Sequence, residues 1–234
     1  MIQRYQQGKN YIIYDDELIN DNLSDCFSID YWQTKACVVG SATGRGTTWF
    51  IQLANIQGAL RHYRRGGLFG KIVSDHYIFM GLEKTRCIAE FHLLHQLAES
   101  GVHVPRPIAA RVKKRNFCYQ ADLLSEKIAN AQDLVAILQQ RTLTEIEYVN
   151  IGQQIKKMHA AQVNHTDLNI HNILLDELGK VWLIDFDKCY QQRGENWQEG
   201  NLQRLLRSFN KERNKRAIKW SEQDWLLLLK GYQS

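Results

Sequence analysis

Internal repeats, low-complexity tracts and proline-rich stretches are missing from this chain, and its 2 prolines both fall in one short segment, at positions 105 and 107. Their absence excludes a solenoid, a collagen-like rod and a long disordered tail. Cysteine is sparse and unpatterned. Cys26, Cys37, Cys87, Cys118 and Cys189 form no C-x-x-C pair and no zinc spacing, which argues against a disulfide framework and for reduced thiols filling a core in a cytoplasm. Long hydrophobic runs are lacking too. Residues 1–7 hold no apolar signal core and the late run 225–229 is far too short to span a bilayer, so the expectation is a protein neither exported nor integral to a membrane.

What is present suffices for a folded core: 234 residues, 44% of them hydrophobic, can form two small lobes or one mid-sized domain. Segments 36–39, 48–53, 58–63 and 77–79 read as strands of a small antiparallel sheet, punctuated by glycines. Residues 86–99 then carry Cys87, Phe91, Leu94, Leu97 and Ala98 at a helical period and stop before Gly101 and the two prolines, which predicts one helix packed on that sheet. Segment 117–124 reads as a further strand. After it, Asn130 with Asp133 and Thr144 with Glu147 predict two capping-box helix starts. The Thr144 helix places Tyr148, Ile151, Gly152, Ile155, Met158 and His159 on one face and leads into a polar loop. A β-rich first half therefore gives way to a more helical second half, with a boundary near Ser125.

That loop, His165-Thr166-Asp167-Leu168-Asn169-Ile170-His171-Asn172, carries the chemistry, together with Asp185-Phe186-Asp187 further on. Phosphoryl transfer from ATP needs a carboxylate to orient the acceptor and oxygen ligands for Mg2+. Asp167 fits the first role as the catalytic residue, and Asn172 and Asp185 fit the second as metal ligands. The runs 173–175 and 181–184 flank Asp176-Glu177-Leu178-Gly179-Lys180, a hairpin turn signal that brings Asp185 back beside Asn172. The spacing agrees with the His-Arg-Asp, Asn and Asp-Phe-Gly elements of protein kinases. The competing reading is a set of capping polar residues on an ordinary hairpin.

In the first half, Gly40-Ser41-Ala42-Thr43-Gly44-Arg45-Gly46 lies between strand candidates, where the backbone of Gly44 and Gly46 could close over nucleotide phosphates or simply make a flexible turn. Arg61 stands on a strand where a kinase carries its phosphate-gripping lysine, and Glu90 lies mid-helix where the ion-pair partner belongs. Arg64 and Arg65 are rivals for that role, and a solvated edge or an acceptor-binding patch is the other reading of all three.

Three segments carry a family resemblance: Leu60-Arg61-His62-Tyr63-Arg64-Arg65-Gly66-Gly67, Gly101-Val102-His103-Val104-Pro105-Arg106-Pro107, and the loop from His165 to Leu174. They resemble the Kdo kinases of Gram-negative bacteria over most of the chain, and Asn201-Leu202-Gln203-Arg204-Leu205-Leu206-Arg207-Ser208 resembles the late helix of the same group. The resemblance implies an α+β, protein-kinase-like two-lobed fold. A nucleotide-binding N-lobe with a small antiparallel sheet would span residues 1–125. A mainly helical C-lobe with the catalytic loop and acceptor site would span residues 126–234. It further implies ATP- and Mg2+-dependent phosphorylation of the 4-hydroxyl of a 3-deoxy-D-manno-octulosonic acid (Kdo) residue on a Kdo-lipid A precursor. The setting would be lipopolysaccharide core assembly, by a peripheral protein at the cytoplasmic face of the inner membrane. A heptose kinase or an aminoglycoside-type kinase would share the same three residues, and a catalytically dead binding module is a further alternative.

Departures from the protein-kinase pattern sharpen these expectations. Thr166 replaces the arginine that clamps a phosphorylated activation loop, Asp187 replaces the glycine after Asp185-Phe186, and no Ala-Pro-Glu segment follows to shape a peptide platform, so no protein substrate is expected. Asn169 replaces the catalytic-loop lysine, which leaves phosphate charge to other groups. His165 is expected to be structural and His171 to support the site from behind. The net charge of +5 is concentrated in residues 61–65, 113–115 and 211–219, which suits an anionic membrane surface or merely solvated helix faces. Lys211, Arg213, Lys215, Arg216 and Lys219 are the expected docking residues, placed just after a helix at 204–210. Nucleic acid is not an expected partner, because no binding motif or aromatic platform accompanies the charge.

Overall fold

The structure, a computed structural model, describes residues 1–44, 46–65 and 75–234. Arg45 of the glycine-rich segment and Gly66-Gly67 of the resemblance lie outside the described residues. Two compact units divide the chain, Met1–His92 with Arg106–Lys127 and Leu93–Pro105 with Ile128–Ser234.

The first unit is built on an antiparallel sheet. Its elements are β1 (Ile2–Gln7), β2 (Asn10–Asp15), the short helix α1 (Ile29–Thr34), β3 (Val38–Thr43), β4 (Thr47–Gln52), β5 (Gln57–His62), β6 (Tyr77–Ile78), the start of helix α2 (Arg86–Glu99), β7 (Pro107–Arg115) and β8 (Cys118–Glu126). The strand order is β1-β2-β7-β8-β5-β4-β3, with β6 paired to β8. Four of these elements, β1, β2, α1 and β7, were not legible beforehand. β1 leaves four of its six residues exposed, so it shows no inward period, and α1 is a turn and a half in which Trp32 alone is buried. Trp32 is nonetheless central, packed with Ile12, Ile51, Leu60, Ile108 and Leu124, and its indole N–H donates to the Cys26 carbonyl at 2.7 Å. Burying a side chain of this size stabilises the unit by roughly 2–3 kcal/mol.

The glycine-rich segment is shorter as a loop than the sequence suggested. Ser41, Ala42 and Thr43 pair with Trp49, Thr48 and Thr47, and the Gly44 N–H donates to the Gly46 carbonyl at 2.9 Å. Strand pairing satisfies the backbone groups that an open phosphate loop would leave free.

The second unit takes the remainder of α2 and adds β9 (Gln132–Asp133), α3 (Leu134–Gln140), α4 (Glu145–Ala160), β10 (Val163–Asn164), β11 (Ile173–Leu175), β12 (Val181–Leu183), β13 (Tyr190–Gln191), α5 (Gln198–Arg216) and α6 (Glu222–Gln233). Thr144 and Glu147 form the expected capping box of α4. The other expected box is different: Asp133 itself caps α3, accepting from the Ala136 N–H, while Asn130 sits in a turn at φ +50°. Helices α4 and α6 cross at their glycines. A Cβ on Gly152 would lie 2.0 Å from the Leu228 carbonyl oxygen, and one on Gly231 equally close to that of Val149, so backbone packs on backbone. This anchors the buried face of α4, which leads into the loop from His165 to Asn172. No helix among the described residues is long and apolar enough to cross a membrane.

Candidate active site

Within the second unit, β10 ends at Asn164 and β11 begins at Ile173, so the loop between them is held at both ends by strand pairing. Its interior is fixed by polar side chains. The Asp167 carbonyl accepts from the amides of both Asn169 and Asn172, at 2.9 Å each, while the Asn169 oxygen accepts from the His171 N–H at 2.9 Å. Asn169 therefore orders the loop instead of reaching outward as a lysine would. With its nitrogen engaged in this way, Asn172 presents its amide oxygen, and the Asp167 carboxylate is exposed.

Opposite the loop, the β11–β12 hairpin has the register Ile173 to Leu183, and the Ile184 N–H donates to the Asn172 carbonyl at 3.0 Å, which sets Asp185 next in line. Asp185 is exposed and takes the left-handed conformation, φ +61°, which an aspartate tolerates better than most residues. Phe186 is fully buried against the His165 ring, 4.7 Å between centroids. Its burial holds the backbone turn that projects Asp185 outward.

His165 is structural, and its bonds define its tautomer. Nε2 faces the Ile184 carbonyl at 3.0 Å and so carries the proton, while Nδ1 accepts from the Asp167 N–H at 3.3 Å. Complete burial lowers its pKa, which keeps it neutral in that tautomer. The His171 ring lies 3.6 Å from Asp133, the cap of α3, and 3.5 Å from Glu212 on α5.

Two residues on α5 complete the loop, and the sequence reading gave neither a role. Asn201, buried, accepts from the His165 N–H at 3.1 Å and donates to the Asn164 side chain at 2.8 Å. Ser208 accepts from the Ile170 N–H at 3.0 Å. They stand seven apart, two helical turns, and so share one face.

In the first unit, Arg61 Nη2 donates to both carboxylate oxygens of Glu90, at 2.6 and 2.7 Å. Glu90 is 4% exposed, and Tyr63, missed from the sequence, donates its hydroxyl to the same carboxylate. Burial, then the nearby Glu90 charge, pushes the Tyr63 phenol well above its ordinary pKa, so it stays a donor. Two residues beyond Arg61 and just past the end of β5, Tyr63 had the alternation signal but no sign of its partner. Of the rivals, Arg65 stacks on Tyr77 at 5.1 Å, and the Arg64 side chain lies beside the turn, 3.0 Å from where a Gly46 Cβ would be.

The donor set suits Mg2+. Asn172 and Asp185 supply hard oxygen donors, and two protein ligands leave the other positions to phosphate oxygens and water, the usual arrangement for this ion. No group of three or more His, Cys, Asp or Glu among the described residues forms a closed cage.

The family model described as lipopolysaccharide kinase (Kdo/WaaP) family matches residues 29–232. The chain is 59% identical to a 3-deoxy-D-manno-octulosonic acid kinase of Vibrio vulnificus, over 100% of this chain and 99% of that protein. A protein of the same name from Haemophilus influenzae is 48% identical over 99% of each. Among solved structures, WaaP in complex with acyl carrier protein superposes with a TM-score of 0.60 at 16% identity, covering 92% of this chain and 88% of that one. The fold is thus kinase-like, with an antiparallel-sheet unit and a mainly helical unit.

Proposed function

The chain belongs to the lipopolysaccharide kinase (Kdo/WaaP) family, and we propose that it transfers a phosphoryl group from ATP to the 4-hydroxyl of a Kdo residue on a Kdo-lipid A precursor in lipopolysaccharide core assembly. The observation that carries the reading is the Asp167 loop, with its ordered backbone and outward carboxylate, in a chain that Kdo kinases match from end to end. Asp167 accepts a hydrogen bond from the acceptor hydroxyl and takes its proton as the new O–P bond forms and ADP leaves. Asn172 and Asp185 would hold Mg2+, whose charge would offset that of the phosphates when bound. Arg61, steadied by Glu90 and Tyr63, would supply the fixed cation for the nucleotide phosphates.

The same reading makes the enzyme a peripheral protein of the cytoplasmic face of the inner membrane, with an anionic lipid surface and a lipid-linked sugar as its partners and no protein or nucleic acid as substrate. It is tested by incubating the protein with Mg-ATP and an equimolar mixture of Kdo-lipid A, a heptose-terminated lipid A and an aminoglycoside. Phosphate is expected on the Kdo product alone. Preferential labelling of the heptose or the aminoglycoside would transfer the assignment to that acceptor.

A further inference from the structure

One end of the first unit's sheet gathers three tips with an unusual surface. The β1–β2 turn at Gly8 and Lys9, the β7–β8 turn at Asn116 and Phe117, and the β6 strand with its continuation to Met80 lie side by side there. The Lys114 N–H donates to the Lys9 carbonyl at 2.9 Å, the Phe79 N–H donates to the Phe117 carbonyl at 2.8 Å, and Ile78 pairs with Cys118. Large apolar side chains protrude from these tips. Phe117 is 87% exposed, Met80 70% and Ile78 69%. Turn chemistry does not ask for a phenylalanine: Asn116 supplies the positive φ of +51°, and small polar residues are the normal occupants beside it.

The formal charge within the three tips is of one sign. Residues 8–11, 76–80 and 113–118 contain Lys9, Lys113, Lys114 and Arg115 and no aspartate or glutamate. None of these four cations forms an ion pair with a described residue, and Lys114 sits over the Phe79 ring at 4.5 Å. The late basic run differs. Arg213 stacks on Trp220 at 5.3 Å, Arg216 pairs with Glu212 at 3.1 Å and Lys219 donates to the Gln140 carbonyl at 2.7 Å, so three of its five cations are engaged within the fold.

We propose that this end of the sheet is a membrane-docking surface: Phe117, Ile78 and Met80 enter the headgroup region of an anionic bilayer while Lys9, Lys113, Lys114 and Arg115 meet lipid phosphates. The proposal rests on the reading that the acceptor is lipid-linked. An apolar tip ringed by cations is the chemistry of interfacial anchoring, and the attraction of each cation adds to the next. A protein partner fits less well, because three projecting side chains offer far less than the ~800 Å² that one side of a stable interface buries.

The test is co-sedimentation of the full chain with vesicles of phosphatidylethanolamine and phosphatidylglycerol, and with vesicles of phosphatidylcholine alone. Wild type should bind the anionic vesicles, less so as salt rises. The triple variant Lys113→Gln, Lys114→Gln, Arg115→Gln should weaken binding on the order of a hundredfold, at about fivefold per charge, with most of the salt dependence lost. Phe117→Ser should weaken it roughly tenfold. Lys211→Gln with Lys215→Gln should leave it unchanged, and phosphorylation of a detergent-dispersed acceptor should stay near wild type in every variant. Absent vesicle binding, binding untouched by the tip variants, or a self-association of wild type that Phe117→Ser abolishes would each overturn the proposal. If vesicle binding behaves as expected but Kdo-lipid A is not phosphorylated, the docking surface stands and the functional reading falls.

Discussion

Glu90 gathers the donors that fix Arg61: a buried carboxylate accepts from Arg61 and from Tyr63, so removing one partner leaves charge or acceptor uncompensated in a dry site. Arg61→Ala and Glu90→Ala should therefore lower kcat/KM non-additively, with a coupling of about 1–3 kcal/mol in a double-mutant cycle. Additive losses would move the phosphate-facing role to Arg64 or Arg65. The neighbouring His62 behaves differently. Its ring lies between Asp122 at 2.7 Å and Asp75 at 3.1 Å, and the hydrogen bond it donates to Asp122 raises its pKa against the opposing effect of burial. A raised folded value means that His62 contributes stability fully below its unfolded pKa of about 6.5, and that this is lost as pH rises through the folded value. His62→Gln should thus be most destabilising in mildly acidic buffer and lose its effect at alkaline pH, as read by urea unfolding at several pH values. A pH-independent deficit would contradict this. At this scale Asp167, Asn172 and Asp185 were legible because one loop and one hairpin set their spacing. Tyr63 was not, since its hydroxyl bonds a residue 27 positions away and no local pattern records that.

Helix α5 acts as a splint for the catalytic loop, because Asn201 holds its entry and Ser208 its later half. Asn201→Ala would leave the His165 N–H and the Asn164 side chain short of partners, costing about 1–3 kcal/mol of stability. It should lower kcat much more than it changes KM for ATP. Asn201→Asp keeps an acceptor for the His165 N–H but cannot donate to Asn164, so it should recover part of the activity. Equal losses in kcat and stability across Ala and Asp, or unchanged kcat in Asn201→Ala, would argue against a positioning role; steady-state kinetics with thermal melts decides. The length of α5 was underestimated from the sequence. Residues 211–216 carry charge and asparagine without an apolar period, yet lysine, glutamate and arginine favour helix, and the turn ends only where Ala217 adopts φ +49°. The docking residues expected after a helix therefore lie mostly on it, pointing in different directions. Strongly periodic elements such as α2 and α4 were legible, whereas β1, polar on its exposed face, was not.

For the molecule as a whole, the basic excess acquires meaning from its distribution. A net charge of +5 spread evenly would only favour solubility, but four cations that form no ion pair with a described residue, beside exposed Phe117, make one end of the sheet distinct. The sequence indicated basic clusters at 113–115 and 211–219 alike. Separating them required tertiary contacts, since Glu212, Trp220 and Gln140 engage the second cluster through packing. The family and the kinase-like fold hold whether or not the proposed docking surface does, and the chemistry at Asp167 is the claim on which the account turns. One mass spectrum tests it most directly: Kdo-lipid A incubated with Mg-ATP and wild type, Asp167→Ala or Asp185→Ala, at saturating substrate. Wild type should add a single phosphoryl group to the Kdo residue. Asp167→Ala should slow transfer by roughly 10²–10⁴-fold while still binding Mg-ATP, and Asp185→Ala should lose both transfer and metal-dependent nucleotide binding. Near wild-type turnover by Asp167→Ala, or an unmodified Kdo residue with wild type, would contradict the account.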